Sequence, residues 1–114
     1  RTKRYKYIRF FGDYDKYVPS NIDDSLSKNF VLSSGYLKQK RDKEMLFDLY
    51  LDPQEKNNLI DDKRYKKIYE KLKNKLNKWM QDTEDPLLEG KVKKPKNAVV
   101  NKLSSLSAED DDFE

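Results

Sequence analysis

The sequence predicts an α+β unit: a small antiparallel sheet of three or four strands, one long amphipathic helix packed across it, and an acidic, disordered tail. Three observations predict it. "RYKYIRFF" at residues 4–11 is rich in aromatic and β-branched side chains, the composition of a strand. At residues 44–51, Met45, Phe47, Leu49 and Leu51 alternate with Glu44, Leu46, Asp48 and Tyr50, a strand period with one fully apolar face. Tyr65, Ile68, Tyr69, Leu72, Leu76, Trp79 and Met80 recur at helical spacing and fall within roughly a 120° arc at about 100° per residue. The expected organisation is an α+β subdomain over 1–88 and an extended or wrapping tail over 89–114, disordered at its acidic end.

In the first strand, Tyr5, Tyr7, Arg9 and Phe11 share one face and Arg4, Lys6, Ile8 and Phe10 the other. Gly12-Asp13 ends it, and "DYDKYVPSNIDD" reads as a loop. "SLSKNFVLSSG" predicts a short helix capped by Ser25 or Asp24, with Gly35 at the left-handed position beyond its end. Phe30, Val31 and Leu32 would serve a strand equally well. After the 44–51 strand, Asp52-Pro53 blocks extension, because proline fixes φ and lacks the amide proton a sheet neighbour needs. "DPQEKNNL" then reads as a type I turn and a helical turn aiming Leu59 at the core. Asp61 or Asp62 caps the long helix, expected over 62–82, and Pro86 follows its end. The eight basic residues between Lys63 and Lys78 lie outside the apolar arc, as a solvated face or a surface that tracks phosphate or sulfate. Burial of the arc puts Trp79→Ala at about 3–5 kcal/mol if the indole is enclosed. "KVKKPKNAVVN" offers a further edge strand, and "AEDDDFE" carries five acidic residues among its last six, a composition that does not bury itself.

Composition excludes much chemistry. Of 114 residues, 35% are hydrophobic and 40% charged, so the core is thin and an interface with another body is expected. The chain has no cysteine and no histidine. That removes disulfides, thiolate nucleophiles and the commonest general base and metal ligand. No apolar run approaches a membrane span of about 20 residues. Adjacent acids such as Asp23-Asp24 and Asp61-Asp62 read as helix caps rather than a catalytic pair, which needs two carboxyls with separated pKa values in one cleft. No catalytic residue, metal ligand or cofactor is expected in the chain itself. The first residue is Arg, and the chain reads as a piece of something longer. "RTKRYKYIRFF" places five cations in nine residues among tyrosines, which suits phosphates and stacked bases or an ordinary strand whose long stems cover apolar surface. A free-standing basic module for nucleic acid or another polyanion is therefore the alternative function. A structural partner pairing through a sheet edge or an apolar face, as in a homodimer, is a third.

The order of motifs resembles the C-terminal subdomain of type I sulfatases. The matching residues are Arg1, Thr2, Arg4, Tyr5, Lys6, Tyr7 and Ile8, then Leu46, Phe47, Asp48 and Leu49, then Asp52, Pro53, Glu55, Asn58 and Leu59. "DPLLEGKV" and "AVVN" are most similar to bacterial relatives of the heparan N-sulfatase (sulfoglucosamine sulfohydrolase) branch. Phe47 replaces the family's usual Tyr, Lys63 a frequent proline, and Asn97 a common glycine; asparagine is the next-best residue for a left-handed backbone. The resemblance implies a non-catalytic subdomain that docks on an N-terminal catalytic domain of the same chain and lines its pocket. That domain is expected to carry a formylglycine and a calcium, and to act on a sulfated sugar; no nucleic-acid or membrane partner is implied. It also places Arg1, Lys3 and Arg4 nearest the catalytic domain, as substrate-binding cations or as ordinary solvated strand charges. On that reading, neutralising Arg1 or Arg4 raises KM and leaves thermal stability nearly unchanged.

Overall fold

A computed structural model describes residues 1–111 and 113. The chain divides into two units, one built from Arg1–Phe11 and Asp42–Val92, the other from Gly12–Arg41 and the residues from Lys93 onward.

The first unit is α+β. Strand β1, Tyr5–Arg9, pairs antiparallel with strand β2, Glu44–Asp48, in the register Tyr5 to Asp48, Tyr7 to Leu46 and Arg9 to Glu44. Among the described residues the sheet stops at these two strands, not the expected three or four. The predicted 44–51 strand ends early because the amides of Leu51 and Asp52 both turn back to the Asp48 carbonyl, at 3.1 and 2.8 Å. The expected edge strand within 91–101 does not form. Pro95 has no amide proton to give a ladder, the Ala98 amide closes a turn onto the Pro95 carbonyl at 3.2 Å, and Asn97 is left-handed at φ 64°.

Asp52 starts the connection to the helix. Its carbonyl accepts from the Glu55 amide (3.1 Å), its side chain accepts from the Asn57 amide (2.8 Å), and Glu55 is left-handed at φ 55°. Asn58 staples this turn to β2. Its Oδ1 accepts from the Leu46 amide at 2.9 Å, and its Nδ2 donates to the Glu44 carbonyl at 3.2 Å. Leu59 donates its own amide to the Leu46 carbonyl at 2.8 Å and is half-buried. Asp62 then caps a 3-10 turn, Lys63–Tyr65, by accepting from the Arg64 amide, and helix α2 runs over Lys66–Asp82. Asp85 caps the short turn Pro86–Glu89 that follows.

α2 lies across the ribbon face carrying Tyr5, Tyr7, Arg9, Glu44 and Leu46. Tyr5 meets Tyr65 edge-on at 6.3 Å between ring centroids, Tyr7 meets Tyr69 at 5.7 Å, and Arg9 reaches Asn77 at 3.2 Å. The helix therefore covers the mixed face of β2 rather than the one its alternation marks as apolar. The enclosed apolar residues are Leu46, Phe47, Leu72 and Met80. Trp79, expected inside, is 57% exposed. Two strands about 5 Å apart make a ribbon too narrow to floor the whole helical stripe, and its flank beside β1 stays open.

The second unit holds the predicted short helix, α1, Leu26–Ser33. Ser25 is the cap, accepting from the Lys28 amide, and Gly35 is left-handed at φ 94°. Lys28 is buried, its Nζ held by the Ile22 carbonyl at 2.8 Å and Asp24 at 2.7 Å. The expected disorder of "AEDDDFE" falls partly on residues 112 and 114, outside those described. Within the described part, the Asp110 carboxylate accepts from the Leu106 and Ser107 amides, and Phe113 bridges to Asn101.

Candidate functional site

Three features of the first unit carry its polar chemistry, and all lie in or beside β1. The first is a fork. Arg4 grips Asp48 through Nε (3.0 and 3.1 Å) and Nη2 (2.7 Å), while Asp48 Oδ1 also accepts from the Tyr50 amide at 3.2 Å. Asp48 is buried, and the Arg4 side chain is 52% exposed over the Tyr5 and Tyr50 rings. The guanidinium hydrogen bonds hold the Asp48 carboxyl below its ordinary pKa.

The second is a carboxylate shared between strand and helix. Glu44 accepts from the Tyr7 hydroxyl and, at 2.7 Å, from the Tyr69 hydroxyl; Lys73 pairs with it at 3.1 Å and donates to Tyr69 at 2.6 Å. Burial pushes the Glu44 carboxyl up, but the donors from Tyr7, Tyr69 and Lys73 outweigh it and the net shift is downward. Burial, then the bond to Glu44, pushes the Tyr7 phenol well above its usual value. These groups neutralise one another and leave no unpaired base.

The third is a groove of about 250 Å³ between β1 and α2, lined by Arg1, Tyr7, Leu72, Lys75, Leu76 and Trp79. Residues 72, 75/76 and 79 are successive positions on one helix flank, so the stripe that predicts the helix also builds this wall.

The three sequence-predicted cations separate. Arg1 lines the groove, Arg4 is committed to Asp48, and Lys3 is exposed. Arg4 is thus a partner of a buried carboxylate, and its loss is now expected to lower stability. Sequence reasoning missed Glu44 and Asp48 as acceptors, the first half-buried and the second buried. An Asp inside an otherwise apolar strand was the available signal. Lys6 also has an internal partner, Glu55, at 2.6 Å. No group of three or more His, Cys, Asp or Glu among the described residues is arranged to hold a metal ion, and no helix of the described residues is long and apolar enough to cross a membrane.

A fork-braced two-stranded ribbon under one helix now acquires a relationship: the chain carries a sulfatase-related region. The relative is an ulvan-active sulfatase of Formosa agariphila, 37% identical over 93 residues that make up 81% of this chain. The chain spans 18% of that relative's length. No protein-family model matches the chain, and no solved structure does.

Proposed function

We propose that the chain is the non-catalytic C-terminal subdomain of a sulfatase, docked on a catalytic domain and contributing to the wall of its substrate pocket. The 93-residue relationship, which takes up only 18% of the sulfatase it matches, carries this reading, because it leaves room in such a protein for a catalytic domain elsewhere. The local chemistry agrees. Asp52, Glu55, Asn58 and Leu59 are spent on holding strand, turn and helix together, which is the work of a scaffold. The substrate class is a sulfated sugar, cleaved as a sulfuric ester or a sulfamate, with relatives of heparan N-sulfatase as the proposed branch. Ulvan, on which the relative acts, is the first substrate to assay. Calcium and formylglycine are proposed for the catalytic domain. Arg1, Lys3 and Arg4 are the proposed substrate-side cations, Arg4 through the exposed part of a guanidinium it shares with Asp48.

The polyanion-binding alternative asks the strand cations to face a ligand. Arg4, Lys6 and Arg9 instead reach Asp48, Glu55 and Asn77. The test is the reading frame 5′ to Arg1. An in-frame Cys/Ser-x-Pro-x-Arg motif is the expected result, and a frame that closes without one refutes the proposal. In the full-length enzyme, Arg1→Gln is expected to raise KM with kcat and Tm little changed.

A further inference from the structure

The Trp79 groove has a composition that selects a ligand. Its floor is Leu72 and Leu76, its aromatic walls are Trp79 and Tyr7, and its remaining lining is Arg1 and Lys75. The Tyr7 hydroxyl already donates to Glu44, so that ring offers the groove chiefly its apolar body. Among the described residues, no carboxylate and no amide side chain lines it. The side chains therefore present an apolar surface, an indole 57% exposed to solvent, and cationic donors with no anionic acceptor among them.

A bare polyol fits this poorly, since sugar hydroxyls bind well only where acceptors answer their protons. A ring that carries a sulfate fits it well. Its C–H face lies on the indole, and its acceptor oxygens meet the Arg1 fork and the Lys75 ammonium. The volume, about 250 Å³, falls below the roughly 300–1,000 Å³ of sites for drug-sized ligands, so the groove holds one ring and not a chain of them.

We propose that the groove between β1 and α2 is a subsite for a single sulfated sugar ring, stacked on Trp79 and held at its sulfate by Arg1 and Lys75. This rests on the sulfatase reading for its choice of sugar, and it adds a place on the subdomain where one unit of the substrate sits. Lys75 and Trp79 lie outside the cations named from sequence, and of those only Arg1 contributes.

Trp79 is the chain's one tryptophan, so its emission reports on the groove alone. The 114-residue chain is titrated with glucose 6-sulfate and glucose 2-sulfate, with glucose and sodium sulfate as controls. A saturable change in Trp79 emission with a sulfated sugar is expected. Neither control should reproduce it, and it should weaken as ionic strength rises. Lys75→Gln and Arg1→Gln should each weaken the affinity by about three- to fivefold, the range of an exposed charge pair, with the circular dichroism of the helix unchanged. Emission unmoved by either sulfated sugar, an equal response to glucose, or affinity untouched by both substitutions overturns the subsite. The two proposals fail separately. A frame lacking the upstream motif removes the sulfatase while leaving the titration standing, and a silent Trp79 in a proven sulfatase removes only the subsite.

Discussion

Truncating two large apolar residues of the first unit should give unequal losses. Leu46 is 0% exposed, and Trp79 is 57% exposed. Leu46→Ala removes a fully enclosed side chain from a core in which only Leu46, Phe47, Leu72 and Met80 are enclosed, so neighbours have little freedom to close the hole. The expected cost is about 3 kcal/mol, within the roughly 2–5 kcal/mol of such truncations. At about 4–8 °C per kcal/mol for a domain near this size, Tm falls by more than about 10 °C. Burying a large apolar side chain completely is worth about 1.5–3 kcal/mol. Trp79 gains less than half of that, so Trp79→Ala costs about 1 kcal/mol, not the 3–5 kcal/mol its place in the stripe suggested. Thermal and urea denaturation followed at 222 nm measure both. If Trp79→Ala proves as damaging as Leu46→Ala, the indole is enclosed in the folded chain and the open groove does not exist.

Arg4→Gln strands the buried Asp48 carboxylate, so its Tm should fall clearly further than that of Arg1→Gln, whose side chain only lines the groove; equal Tm values would refute the fork's importance. The carboxyls of Glu44 and Asp48 both have folded pKa values below their ordinary ones, so the stability they supply is present above the unfolded values of about 4 and is lost as pH falls through the lower folded values. Tm measured from neutral pH downward should hold to about pH 4–5 and then drop, and Glu44→Gln should flatten that drop. Asn97 sits at φ 64°, where a Cβ without a helpful polar group costs about 1–2 kcal/mol; Asn97→Ala should destabilise while Asn97→Gly stays near neutral, by the same urea midpoints.

The features legible in the sequence were those decided within a few residues. Ser25, Gly35 and Asp62 occupy the capping positions their chemistry suits, because a cap needs only a side-chain oxygen beside free amides at the start of a helix or a missing Cβ at its end. Asn97 adopts the left-handed backbone that a common glycine would also accept. Strand length was not local in this sense. Leu49, Tyr50 and Leu51 continue the alternation of β2, yet they turn, because the ladder needs a partner and β1 has run out: the Leu49 amide meets the Arg4 carbonyl at 2.7 Å, past the start of β1 at Tyr5. Alternation likewise marked Met45, Phe47 and Leu49 as the inward face. The helix chose the other, where Tyr7 and Tyr69 donate to Glu44 and Tyr5 meets Tyr65 edge-on.

That choice explains why the candidate site was hard to see. A helical stripe in sequence states which flank is apolar and leaves open how much sheet lies beneath it. Over a four-stranded floor the seven stripe residues would all be core. Over two strands, Leu72 and Met80 are enclosed while Leu76 is partly open and Trp79 mostly so, and the leftover flank becomes a groove. The same narrowness turns the strand cations inward. A ribbon with one helix on it has few apolar side chains to spare, so it closes its ends with ion pairs, Arg4 to Asp48 and Lys73 to Glu44. Arg1 and Lys75 line the groove instead, while Arg4 keeps only its exposed part for any ligand. Residue type and place in the chain therefore nominated Arg1, Lys3 and Arg4 alike, and it took the positions of Asp48 and Trp79 to separate Arg4, the partner of a buried carboxylate, from Arg1, which lines the groove.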